Sequence, residues 1–461
     1  MKKLILLLSV LPFTVFSQQS WCKASQSDLL WQNVGNAGFS PGQAAYPSLA
    51  VSNTGETYVA FQDYENGYKA SVMKFDGSNW IKVGTSGFSV GVAYYTRIAI
   101  SPSAEPFVVY MDTVNSWKAS VMKFDGNQWV YVGNPGFSEQ AAAFLDIAFS
   151  PSGQPFIAYG GACNCIPNVN VMKFDGTNWV YVGEQNLSSG SAYTPTLAFD
   201  PSGQPWVAYQ DLAHSYKATV KRLVGDHWEY AGPPGFSPGK AVYTSLAFSP
   251  AGEPHVAFMD YENSTKASVM RYDGTNWVNV GNAGFSPGEV VCTQLTFNPI
   301  DGQPYVSFID NQNYSKASLM TYNGNGWVYL GNPGFSEGLV VNWITHEFNL
   351  SGQPYVAFID YGDSNKVTVM KYDFPVGFNE NKESRLFLYP NPVNTNLTID
   401  LTETDCIQKC VDFFNLSGNN VFKIKTNKDR IIVNVENYPS GIYIVKIQTE
   451  RSITISKFCK N

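Results

Sequence analysis

The chain has 461 residues, a formal net charge of −7, and is 44% hydrophobic, 15% aromatic and 15% charged. This hydrophobic content excludes a wholly disordered chain, and the mildly acidic balance argues against a nucleic-acid partner. Beyond the N-terminus no stretch is long and apolar enough to cross a bilayer as a helix.

The chain opens with Met1-Lys2-Lys3 and the apolar run Leu4-Ile5-Leu6-Leu7-Leu8, and Val15-Phe16-Ser17 fits a small-residue cleavage site. Residues 1–17 are therefore expected to be a secretory signal peptide, followed by a leader over 18–30. Its removal would take Lys2 and Lys3 and leave a net charge of about −9.

Seven tryptophans follow at near-constant spacing: Trp31, Trp80, Trp129, Trp179, Trp228, Trp277 and Trp327, with gaps of 49, 49, 50, 49, 49 and 50 residues. A period of this length means an array of one supersecondary unit. Each unit predicts four short strands. The first carries the Trp (Trp129-Val130-Tyr131) and leads into a Gly-Phe-Ser loop (Gly136-Phe137-Ser138). The second reads Leu-Ala-Phe (Leu197-Ala198-Phe199) and ends at a Ser-Pro-x-Gly-x-Pro turn (Ser150 to Pro155). The third resembles Tyr355-Val356-Ala357-Phe358; a variable loop then leads to the fourth, Lys266 to Tyr272. Val, Phe, Tyr and Trp runs bounded by Gly, Pro, Asn and Asp are strand signals. An Asp-Gly step, as in Asp273-Gly274, predicts a tight hairpin with both central residues at positive φ.

Four-stranded sheets repeated radially make a β-propeller. Over 31–373 the count gives seven blades. With the Leu-Ala-Phe strand innermost, Trp31 must supply the outer strand of a seventh blade whose other strands span about 344–373. The alternative, an open solenoid, would show atypical capping repeats, and the end repeats here resemble the middle ones.

In this strand order the Gly-Phe-Ser loops and the variable loops share one side, the side where binding or chemistry is expected. Tyr64, Trp117 and Tyr216 in the variable loops, beside Asn and Glu, suit stacking on sugar faces. Asp and Lys recur around the loop in every blade but the third, from Asp63 with Lys69 to Asp360 with Lys366. They are expected to be hairpin-closing ion pairs, or else six equivalent binding sites. Blade three departs from the repeat with Gly160-Gly161-Ala162-Cys163-Asn164-Cys165. Before the Leu position the inner strands carry Ser48, Arg97, Asp146, Thr196, Ser245, Gln294 and Thr345. If these ring a channel mouth, Arg97, Asp146, Gln294, His346 and Glu347 converge on one ligand. A polar, water-filled channel would look the same in sequence.

After Tyr372 the period stops. Residues 374–385 form a polar linker, and 386–461 change pattern, with Tyr389-Pro390-Asn391-Pro392, Asn415-Leu416-Ser417-Gly418 and Gly441-Ile442-Tyr443-Ile444-Val445. Alternation and turn signals predict a small immunoglobulin-like β-sandwich. These motifs resemble the type A C-terminal sorting domain of the type IX secretion system of Bacteroidetes. The resemblance implies the type IX machinery as a partner and delivery to the cell surface or the medium, usually with loss of the tail.

Seven cysteines, Cys22, Cys163, Cys165, Cys292, Cys406, Cys410 and Cys459, match no zinc spacing and leave their pairing open. No Ser-His-Asp order or phosphate loop is present, and no cofactor or metal is implied. The reading is an exported propeller that binds a glycan or a surface protein. Two alternatives stand beside it: a polysaccharide hydrolase or lyase acting at the channel mouth, with Asp146 and Glu347 as a carboxylate pair, and a structural adhesion protein.

Overall fold

The computed structural model describes residues 31–161, 168–373, 387–401, 409–415, 420–448 and 453–461. The expected signal peptide, leader and linker, together with Cys22, Cys163, Cys165, Cys406 and the Leu416-Ser417-Gly418 part of the mid-tail motif, lie outside them. The chain is all-β and divides into two compact units.

The first unit is a ring of seven four-stranded antiparallel sheets. Blades one to six are built from consecutive strands, for example Ala93–Ile100, Pro106–Asp112, Lys118–Phe124 and Trp129–Tyr131 in blade two. Blade seven takes three strands from Val340–Phe348, Pro354–Asp360 and Lys366–Tyr372, and its outer strand is Trp31–Asn33. Trp31 pairs with Tyr372 and Gln32 with Lys371, so the ring closes by sharing a blade between distant chain segments.

Each third strand is flanked by the blades on both sides, so both of its faces are covered. Pro106–Asp112 is buried along its whole length, which is why it reads as a continuous Val, Phe and Tyr run rather than an alternating one. Packing between blades makes the core. Leu49, Val59, Phe61 and Trp80 of blade one cluster with Ala357, Ile359, Val367 and Val369 of blade seven.

The periodic Trp locks neighbouring blades. Its indole Nε1–H donates to a carbonyl of the preceding repeat in all seven cases, from Trp31 to the Leu330 oxygen at 3.0 Å to Trp228 to the Val182 oxygen at 2.6 Å. The Phe of the Gly-Phe-Ser loop stacks on it, as Phe88 does on Trp129 at 4.0 Å and 10°. In blade three Leu187 replaces that Phe.

Two local expectations are corrected. The Asp-Gly hairpins are four-residue loops: Phe75 pairs with Trp80, and only Gly77 has positive φ. The Asp76 carboxylate accepts from the Ser78 and Asn79 backbone N–H groups at 2.8 and 2.7 Å, an Asx turn that needs no second left-handed residue. The recurrent Asp and Lys do not form ion pairs among the described residues. Asp63, Asp112 and their equivalents turn inward and are fully buried. Asp112 accepts from Asn115 Nδ2 at 2.9 Å and Ser120 Oγ at 2.8 Å, and Ser120 Oγ in turn accepts from Gly136 N. The Asp therefore ties the variable loop, the fourth strand and the following Gly-Phe-Ser loop together, while the Lys is partly buried at the start of the fourth strand.

The second unit has a three-stranded sheet, in order Phe387–Tyr389, Asn396–Asp400, Arg430–Asn434, and a four-stranded sheet, in order Asn420–Thr426, Lys409–Asn415, Gly441–Gln448, Ile453–Lys460. Val393, Leu397, Ile399, Val411, Phe413, Val445 and Phe458 fill the space between them. Asn391 of the Tyr-Pro-Asn-Pro motif accepts from Cys459 N at 2.8 Å and donates to the Lys457 oxygen at 3.1 Å, fixing the start of this unit to its last strand.

Candidate functional site

The inner strands of the seven blades enclose an axial channel of about 450 Å³. Every inner strand carries a β-bulge before the polar position, two residues before it in blades one to six, as between Tyr94 and Arg97, and three before Thr345 in blade seven. The bulged residue sits at positive φ in each: Tyr46 (51°), Tyr95 (53°), Phe144 (51°), Thr194 (47°), Tyr243 (55°), Cys292 (57°) and Asn342 (64°). Bulky residues avoid this region, and backbone strain of this kind is kept where surrounding structure holds it. Here the neighbouring blade does so: Thr96 Oγ1 donates to the Tyr46 oxygen, Thr244 Oγ1 to that of Thr194, Thr293 Oγ1 to that of Tyr243, and Cys292 Sγ to that of Asn342.

The bulges set an aromatic collar around the channel toward the side of the Gly-Phe-Ser loops. Trp343, Tyr46, Tyr95 and Phe144 follow one another, with ring centroids 5.4, 5.0 and 5.0 Å apart. Tyr243 and Cys292 also line the channel. Sequence reasoning missed this collar. Its signal was a column of Tyr, Tyr, Phe and Tyr at the repeat period, two positions before the polar residue.

Below the collar lies the polar ring. Arg97, Asp146, Gln294 and Glu347 all line the channel. Part of this ring is structural. Ser48, Asp146, Thr196, Ser245 and Gln294 each accept from a backbone N–H of the next blade, at Ile98, Leu197, Leu246, Leu295 and His346 respectively. Arg97 breaks the series, because a guanidinium cannot accept. It lies 5.9 Å from the Trp343 ring centroid. Burial lowers its pKa, and the nearby Asp146 pulls it back up. Burial raises Asp146, opposed by the Leu197 N–H and then Arg97. Glu347 is pushed up to about 8, first by burial and then by the charge of Asp146. Among the described residues, neither the Arg97 guanidinium nor the Glu347 carboxyl has a hydrogen-bond partner.

His346 does not join them. It occupies the Leu position of its blade and is fully buried, with Nε2 2.7 Å from Thr296 Oγ1 and Nδ1 2.8 Å from Ser307 Oγ. Burial pushes its pKa down to about 3, so it serves as a neutral packing group between blades six and seven. Tyr64, Trp117 and Tyr216 lie outside the channel, each over a third exposed. Tyr64 meets Tyr68 at 4.5 Å, Trp117 stacks on Tyr94 at 5.6 Å, and Lys240 lies between Tyr216 and Tyr261. No group of three or more His, Cys, Asp or Glu placed to hold a metal occurs among the described residues.

Residues 387–461 match the family described as the secretion system C-terminal sorting domain. This tail marks the chain for export to the cell surface or the extracellular space. No helix among the described residues is long and apolar enough to cross a membrane. The molecule is thus an exported seven-bladed propeller with a type IX sorting tail.

No curated protein matches the chain. Among solved structures it is similar to PorZ, an essential bacterial surface component of the type-IX secretion system of Porphyromonas gingivalis, at 14% identity and TM-score 0.48 over 90% of this chain. The chain spans 59% of the length of PorZ. It is also similar to an Aleuria aurantia lectin in complex with Fucα1-6GlcNAc, at 16% identity and TM-score 0.41, covering 64% of this chain and 99% of that one. A third is the Penicillium chrysogenum α-L-arabinanase complexed with arabinobiose, at 13% identity and TM-score 0.44, covering 75% and 98%.

Proposed function

We propose that the propeller is a glycan-binding protein whose ligand enters the channel through the aromatic collar. The observation that carries this reading is the collar itself, in which Tyr46, Tyr95, Phe144 and Tyr243, four of the seven bulged residues, line the channel with Trp343, beside Arg97, Asp146, Gln294 and Glu347. Aromatic rings cover the apolar faces of sugars, and a few fixed polar groups below them bond hydroxyls. The volume lies within the range of about 300–1,000 Å³ usual for small-ligand sites. Tyr64, Trp117 and Tyr216, on loops at the same side, are proposed as outer contacts for a longer chain, Trp117 through its stack on Tyr94.

The test is a glycan array probed with the exported chain and with Tyr95→Ala and Trp343→Ala. Binding by the parent that weakens at least about fivefold in both variants supports the reading, since one lost stacking contact is worth about 1 kcal/mol or more. Undiminished binding in both variants rejects the collar as the site.

A second reading is favoured by one specific observation. Glu347 lines the same channel as Asp146, and burial and the charge of Asp146 push it up to about 8, so a carboxyl suited to act as an acid shares the channel with a second carboxyl, the pair that glycoside cleavage uses. New reducing ends released from bound glycans, and abolished by Glu347→Gln, would move the assignment to a hydrolase.

A further inference from the structure

The polar ring also specifies which sugars fit, an inference that rests on the glycan reading above. Arg97 offers up to five N–H donors and finds no acceptor among the described residues. The carboxyl of Glu347 faces the same channel without a hydrogen-bond partner among the described residues, and one oxygen of Asp146 is already taken by Leu197 N. A ligand must therefore supply acceptors to Arg97 and both accept from and donate to carboxyl oxygens. Hydroxyl groups do both. Arg97 and Asp146 lie in the same channel, and each favours the charged form of the other. An added carboxylate or sulfate would sit beside Asp146, and an added ammonium beside Arg97, each against a like charge in a confined, low-dielectric space.

We propose that the channel selects the uncharged terminal residue of a polysaccharide, entering end-on, and rejects uronate, sulfated and amino-sugar ends. End-on entry follows from the closed ring: the polar groups lie on the axis beneath the collar, where the middle of a long chain cannot pass without threading the channel.

The same geometry makes binding sensitive to pH. The titratable groups facing Glu347 across the channel are Arg97, Asp146, Tyr46, Tyr95, Tyr243 and Cys292; Tyr355 pairs with it in the sheet and His346 precedes it in the chain. Burial pushes Tyr46, Tyr243 and Cys292 up to about 12 and raises Tyr95 and Tyr355, while His346 titrates near 3. Between pH 7 and 9.5 Glu347, at about 8, changes its charge, and because burial also raises Asp146 and lowers Arg97, the comparison with Glu347→Gln isolates its share. Its protonated form donates a hydrogen bond and adds no charge to the channel; its ionised form cannot donate and adds a negative charge.

The experiment measures binding of the exported chain to immobilised oligosaccharides ending in neutral, uronate, sulfated or amino sugars, at pH 7 and 9.5, alongside Glu347→Gln. The expected result is binding to neutral ends only, lost when the terminal residue is capped, and weakened at least about tenfold at pH 9.5 in the parent but not in Glu347→Gln. Preference for charged ends, or retention of capped chains, overturns the inference while the glycan reading survives. A pH loss equal in parent and Glu347→Gln overturns the role given to Glu347. If that variant fails to fold, the preference of the parent among the ends still decides. Failure to bind any of the four classes sinks the glycan reading and this inference with it.

Discussion

At the residue scale, His346 shows how one substitution in a repeat changes the physics of a position. The other blades place Leu or Ile there, at Leu49, Ile98, Ile147, Leu197, Leu246 and Leu295. The imidazole fits the same slot only because Thr296 and Ser307 satisfy both nitrogens. Its pKa falls from 6.5 to about 3 on folding, so the unfolded chain binds the extra proton. Its contribution is therefore complete above about pH 6.5 and is lost as pH falls toward 3, at about 1.4 kcal/mol per pH unit within that window. His346→Leu should remove this part of the acid sensitivity. At pH 7 it should cost about 1–3 kcal/mol, because two hydroxyls lose their partner. Urea unfolding midpoints from pH 7 to 4.5 measure both effects. His255, whose pKa burial also lowers, titrates in parent and variant alike, so the difference between them isolates His346. The recurrent Asp, by contrast, was legible as a conserved element of the repeat but not in its role. Sequence places Asp112 opposite Lys118 in the hairpin, and only the fold shows the carboxylate turned inward to Asn115 and Ser120.

At the element scale, the blade is the unit and its edges are the risk. An unpaired outer edge of Lys366–Tyr372 would expose backbone groups and leave a gap beside blade six. Trp31–Asn33 covers that edge, donates its indole N–H to the Leu330 oxygen and stacks on Phe335 at 3.8 Å. A chain lacking residues 31–33 should lose at least about 3 kcal/mol, the usual cost of removing a buried Trp, and should become sensitive to proteolysis near 366–372. Calorimetry and limited digestion against the parent test this, and an unchanged melting temperature would mean that the closing strand contributes nothing. The bulges belong to this scale too. They re-aim one residue per inner strand, which strand periodicity alone assigns to the wrong direction.

At the scale of the whole molecule, the two units answer different questions. The tail marks the protein for export, and the propeller carries the proposed glycan site. Removal of residues 387–461 should abolish surface delivery while leaving the propeller folded. Surface labelling of intact cells and fractionation read the first, and circular dichroism of the retained product reads the second. Surface delivery without the tail would show a second export signal in the propeller.

The sequence by itself determined the number of blades, the closure by Trp31 and the sorting tail. Each is written in local terms: a period, short apolar runs between turn residues, and motifs of a few contiguous positions. It also put Arg97, Asp146 and Gln294 on one column of the repeat, with Glu347 two positions beyond that column in blade seven. What only the tertiary structure decided was direction. Whether His346 faces the channel or a neighbouring blade, whether Asp112 meets Lys118 or Ser120, and whether Tyr46, Tyr95 and Phe144 reach the axis all depend on a bulge, a register and the packing of one blade on the next. Those are set by contacts about fifty residues apart in the chain, where no local pattern records which way a side chain turns.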